Sequence, residues 1–245
     1  MKTQFPKQFK EFKTLLDSFS ERELNCDQID FTIHDDEEHV PITHFFQDPE
    51  KLKSEFVCWG EKVADNLVLS WLLDGKNLDE APIAMIDSEV SPVSVVALNP
   101  DDFLSMLPYG TRAIGSIAET YSWCLQKPEY AEESLSQYTD EYFQNQLTKR
   151  INSAKNKGEE AIRAYLENVE MYKTNGYNLA EIERPIDEVK AEGLKEGLAY
   201  LELLNWYESN QFTIAKNPFL LIKEAIDRYP NFFDRVIELG LPFQK

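Results

Sequence analysis

Apolar positions recur along the chain with two different periods, and the change of period divides it. Phe9, Phe12, Leu15, Leu16 and Phe19 follow three- and four-residue steps, predicting an amphipathic helix from Pro6 to Phe19 with Lys7, Lys10 and Lys13 on its outer face. Ile29–Ile33, Val40–Phe46, Asn66–Leu73, Pro82–Ile86 and Val93–Leu98 are short apolar or alternating runs bounded by Pro, Asp, Asn and Ser, the pattern of strands. Between them, a short helix is expected from near Asp48-Pro49 through Phe56, with Cys58-Trp59-Gly60 ending it or opening a turn. The sharpest local signal is Asn99-Pro100-Asp101-Asp102. Asn caps a helix, Pro fits its first turn without losing a hydrogen bond, and two acids face the positive end of the dipole. Ile114, Ile117, Ala118, Tyr121 and Leu125 then predict a further helix, broken at Lys127-Pro128.

Beyond that break the period is helical throughout. Leu135, Tyr138, Phe143, Leu147 and Ile151 mark one helix, and Gly158 is expected to separate it from a second carrying Ile162, Tyr165, Leu166, Val169 and Tyr172. A third starts at Pro185 and runs to about Tyr207. Its Gly193 and Gly197 lie four apart on one face, where they would let a neighbouring backbone approach closely. Each costs about 1 kcal/mol relative to alanine in a helix interior. Asn217-Pro218 repeats the Asn-Pro cap, and a last short helix follows Tyr229-Pro230. The expected fold is α+β. An antiparallel-rich sheet with flanking helices fills residues 1–127, and a helical extension over 128–245 packs on it, as a second domain or as a continuation of the first.

Charge adds a second asymmetry. The formal net charge is −19, from 44 acids against 25 Lys and Arg. Residues 1–127 hold 23 acids and 11 bases, residues 128–245 hold 21 and 14. Two stretches, 23–50 with nine acids and 77–111 with six, contain no Lys or Arg at all. Such a surface disfavours nucleic acid and anionic membrane as direct partners and suits a basic protein. A solvated acidic surface that serves solubility is the plain alternative. The hydrophobic content of 42% fits a packed domain, and no apolar run approaches the roughly 18 residues of a membrane span. Cys26, Cys58 and Cys124 are too scattered for a disulfide framework and read as free thiols, so a cytoplasmic location is expected.

Candidate chemistry is sparse. His34, His39 and His44 share one window with Asp35, Asp36, Glu37 and Glu38, a sound donor set for a metal. Their five-residue spacing fits neither one face of a helix nor one face of a strand, so solvated loop histidines are preferred. Asp87-Ser88-Glu89 places two carboxylates at a turn, where Asp and Ser commonly bond the local backbone instead of a substrate. No GxSxG, SxxK, GxGxxG or P-loop occurs, and neither catalysis nor a cofactor is expected. Trp59 and Trp71 read as core anchors.

The stretch Trp71–Pro108 has one further feature. The strand Pro82–Ile86, the turn Ser88-Glu89-Val90, the strand Val93–Leu98 and the helix Asp102-Phe103-Leu104 through Leu107 resemble the SUKH superfamily, the bacterial immunity proteins related to yeast Smi/Knr regulators. That resemblance implies a non-enzymatic α+β binder that neutralises a cognate toxin, often a nuclease with a basic cleft. The partner-binding residues expected from it together with the charge are Glu37, Glu38, Asp79, Glu80, Asp87 and Glu89, with Tyr109 as an aromatic anchor. Two other classes compete: an intracellular scaffold, and a metal-dependent hydrolase built on His34, His39 and His44.

Overall fold

A computed structural model describes residues 7–22, 31–33, 56–62, 66–72, 77–86 and 94–238. The expected strand Val40–Phe46, the helix from Asp48 up to residue 55, the three histidines and Cys26 lie outside these residues, while Phe56, expected to end that helix, is in a strand.

Five strands form one antiparallel meander in the order β1-β2-β3-β4-β5. They are β1 (Thr32–Ile33), β2 (Phe56–Lys62), β3 (Asn66–Trp71), β4 (Ile83–Ile86) and β5 (Ser94–Ala97). Cys58 and Gly60 therefore belong to a strand, not to a helix end or turn, and a bulge between them shifts the register against β3. The bulge removes the strict alternation by which a strand is recognised.

Side chains leave the sheet toward two cores. Val68, Ile83, Met85 and Val96 join the larger one, with Phe9, Phe12 and Phe19 of α1 (Lys7–Glu21) and Phe103, Leu104 and Met106 of α2 (Pro100–Met106). Leu67, Leu69, Trp71, Ala84, Ile86 and Val95 face the other way, onto a smaller core with Phe56, Ala225, Phe232 and Val236. Burial on both faces explains why Leu67–Trp71 reads as a nearly continuous apolar run. Trp71 is a core anchor as expected, its ring centroid 4.6 Å from that of Phe232.

The remaining elements are helical among the described residues. After α3 (Thr111–Gln126) and the short α4 (Ala131–Leu135) come α5 (Asp140–Thr174) and α6 (Ile186–Ser209), an antiparallel hairpin. Then follow α7 (Pro218–Arg228), packed along β5 and α3, and α8 (Phe232–Glu238), whose Phe232 and Val236 close the second face of the sheet. Gly158 does not divide two helices: α5 runs through it for 35 residues. A Cβ there would stand 2.9 Å from Leu194 Cγ. The glycine admits a neighbour rather than stopping the helix. Gly193 and Gly197 play the expected part, since a Cβ at Gly193 would meet Lys157 O at 2.6 Å and one at Gly197 would meet Ala154 O at 2.0 Å.

The two expected parts share one core. Tyr200 and Tyr207 of α6 donate hydrogen bonds back to Pro108 O at 2.7 Å and Leu104 O at 2.6 Å. Tyr109 donates forward to Ala215 O at 2.7 Å, and Tyr121 to Asp227 Oδ1 at 2.6 Å. The helical region is docked on the sheet domain through buried bonds and a common apolar cluster.

Candidate protein-interaction surface

Glu37, Glu38, Asp87 and Glu89 lie outside the described residues. Asp79 and Glu80 are exposed, as expected of turn acids. Asp79 also supports the fold, because its Oδ1 accepts from the backbone N of Lys7 at 3.0 Å and so caps α1 from a segment 72 residues away. Tyr109 is corrected. Only 3% of it is exposed, its ring meets Phe143 edge-on at 5.7 Å, and burial first, then the charge of Asp140, pushes its hydroxyl pKa up to about 12. A ring enclosed in this way anchors the fold, not a partner.

Other acids converge where the sequence separates them. Asn99 and Asp102 bond reciprocally, Asp102 N to Asn99 Oδ1 at 2.9 Å and Asn99 Nδ2 to Asp102 Oδ2 at 2.9 Å, an Asn N-cap reinforced by a side chain–side chain bond that starts α2. The Asp102 carboxyl nevertheless sits above the ordinary aspartate value. Desolvation is the main cause, followed by the charges of Glu224 on α7 and of neighbouring Asp101. Two sequence-distant stretches thus crowd like charges together. The second Asn-Pro pair differs from the first. Asn217 makes no side-chain cap and instead donates to Tyr138 O at 3.2 Å and Asp140 Oδ1 at 2.9 Å, holding the start of α5.

Along α7, Lys223 and Tyr121 both bond the Asp227 carboxylate, and Lys223 Nζ lies 5.2 Å from the Tyr121 ring centroid. Desolvation pulls the Asp227 pKa upward, but the Lys223 and Tyr121 hydrogen bonds outweigh it and leave the carboxylate below its ordinary value. The Tyr121 hydroxyl is raised, by desolvation first and then by its bond to Asp227. A charged lysine, an ionised aspartate and a protonated tyrosine clamp α7 to α3. Among the described residues no group of three or more His, Cys, Asp or Glu is arranged to hold a metal ion.

One exposed feature is not among the residues expected from sequence. Trp123 near the end of α3 and Tyr130, in the 3-10 turn Pro128–Tyr130, stack with centroids 5.1 Å apart and planes 28° apart. They are 44% and 47% exposed. Glu119, Glu129, Glu132 and Glu133, all exposed, flank them in sequence. A signal did exist: Trp123 falls off the stripe Ile114, Ile117, Ala118 and Tyr121. That stripe ends at buried Cys124, while Leu125, expected on it, is 55% exposed.

Compared with family models, with curated proteins and with solved structures, the chain matches none. No described helix is long and apolar enough to cross a membrane.

Proposed function

We propose that this is a non-enzymatic binding protein for a basic protein partner, and specifically an immunity protein that neutralises a cognate toxin by covering or flanking its basic cleft. The observation that carries the reading is an acid surplus concentrated by the fold. The fold brings Glu224 of α7 beside Asp101 and Asp102 of α2. Desolvation is the main reason the Asp102 carboxyl is raised, the charges of Glu224 and Asp101 add to it, and a cationic partner would relieve that repulsive part. The net charge of −19 extends the same field over the whole molecule and would steer a basic protein toward it. The resemblance of Trp71–Pro108 to the SUKH superfamily supports the immunity form. Glu37, Glu38, Asp79, Glu80, Asp87 and Glu89 are the steering acids under this reading.

The test uses a basic protein encoded beside the gene, with a toxin gene or a tandem of immunity genes there favouring the immunity form. Association kinetics are measured over a salt series for wild type and for a Glu37→Lys, Glu38→Lys, Glu80→Lys variant. The rate should fall with salt, as the Debye length shrinks from about 10 Å at 0.1 M to about 3 Å at 1 M, and should fall again on charge reversal. A rate indifferent to both rules out steering by the acidic surface.

A further inference from the structure

We infer that Trp123 and Tyr130 form the anchoring site for an arginine side chain of a basic polypeptide. The inference rests on the reading of the protein as a binder of a basic partner and assigns that partner a contact point. Exposed tryptophan and tyrosine are the residues most often found at the energetic centre of an interface. Here the two rings already stack on each other, so little side-chain freedom remains to be lost on binding. The other tryptophans whose side chains are described are sheltered, Trp71 in the core and Trp206 half-buried.

The surroundings select a cation. Between Glu119 and Glu133 there are four acids and one base, Lys127. Glu119 lies one turn before Trp123 on α3, while Glu129, Glu132 and Glu133 bracket Tyr130. Within the described residues none of these four carboxylates is engaged in an ion pair. The carbonyl end of the 16-residue α3 falls at the same place, with no basic residue in its last turn, and its partial negative charge adds to theirs. A guanidinium satisfies both demands at once, because its flat face stacks on an aromatic ring while its edge donates to carboxylates. The molecule uses the same contact internally, with Arg22 Cζ lying 5.6 Å from the Phe19 ring centroid while its nitrogens bond Glu202.

The experiment titrates the full chain with fluorescently labelled peptides of equal length rich in arginine, lysine or glutamate, read by anisotropy at low and at physiological salt. Wild type is compared with Trp123→Ala, Tyr130→Ala, Trp123→Phe and a Glu132→Lys, Glu133→Lys pair. Thermal melting of each variant separates lost binding from lost fold. The arginine peptide should bind more tightly than the lysine peptide. Trp123→Ala and Tyr130→Ala should each weaken it about tenfold, Trp123→Phe should retain most of the binding, and charge reversal should weaken it as well. Binding that responds to salt but ignores both alanine variants overturns this site while leaving the broader reading intact. Equal affinity for lysine overturns the arginine assignment. No binding of either basic peptide overturns the site, and the broader reading then depends on the association kinetics alone.

Discussion

At the scale of single residues, the start of α2 shows how one short stretch can hold a structural and an electrostatic role together. Asn99 satisfies the Asp102 amide at 2.9 Å, so Asn99→Ala should lower stability by about 1 kcal/mol, measured by urea denaturation. Asp102 is held above its ordinary pKa, chiefly by desolvation and then by Glu224 and Asp101, which has a readable sign. An acid whose pKa is higher folded than unfolded opposes folding at neutral pH. The penalty lifts as pH falls through the raised value and is gone below about 4, the unfolded value. Relative to an Asp102→Asn variant, the wild type should therefore gain stability as pH drops from 7 toward 4. A stability difference that stays flat over that interval would show that neither the desolvation of Asp102 nor its repulsion by Glu224 and Asp101 has an energetic consequence.

Among the elements, the α5–α6 hairpin is decided by three glycines, of which the helical period alone misreads Gly158. Helix propensity makes Gly158 look like a break, yet α5 continues because Leu194 fills the space a side chain would take. Gly197 is the tightest point, its absent Cβ only 2.0 Å from Ala154 O. Gly197→Ala should therefore cost about 3 kcal/mol or more, since backbone must move to admit it. Gly115 in α3 is the control. Its nearest atom would be Met85 Cε at 3.8 Å, so Gly115→Ala should be neutral or stabilise by up to about 1 kcal/mol through helix propensity. Thermal melts of the two variants should move in different directions; equal losses would refute the packing account.

For the molecule as a whole, the predicted boundary near residue 127 is not a boundary of the core. Buried tyrosines from α6 bond the carbonyls of Leu104 and Pro108. Phe232 and Val236 of α8, with Ala225 of α7, pack into the core on the second face of the sheet. Tyr200→Phe and Tyr207→Phe each remove a buried hydrogen bond and should cost about 1 kcal/mol apiece, as a shift of one cooperative transition. A chain ending at Lys127 should show no cooperative melt by circular dichroism. A truncated chain that melts sharply at the wild-type temperature would restore the two-domain description.

How much of this is legible from sequence follows from the range of each interaction. Period and capping are local, so α1, α2, α3 and the strands β3, β4 and β5 can be read within a residue or two at most ends, and with them the α+β class. The close approach at Gly193 and Gly197 is legible for the same reason, because two glycines on one helix face have few other uses. The bulge that keeps Cys58 and Gly60 in a strand is not, since it depends on the partner strand. Tyr109 looks like a turn aromatic until α5 and the carbonyl of Ala215 enclose it. Trp123 and Tyr130 become a surface pair because α3 ends in a turn that folds one ring against the other. The sequence by itself determined most of the helical stretches, which residues are apolar and where the acids are dense, all properties of neighbours along the chain. Only the tertiary structure decided which aromatic rings are sealed and which stand exposed, and which acids crowd one another, because those depend on segments roughly a hundred residues apart packing together.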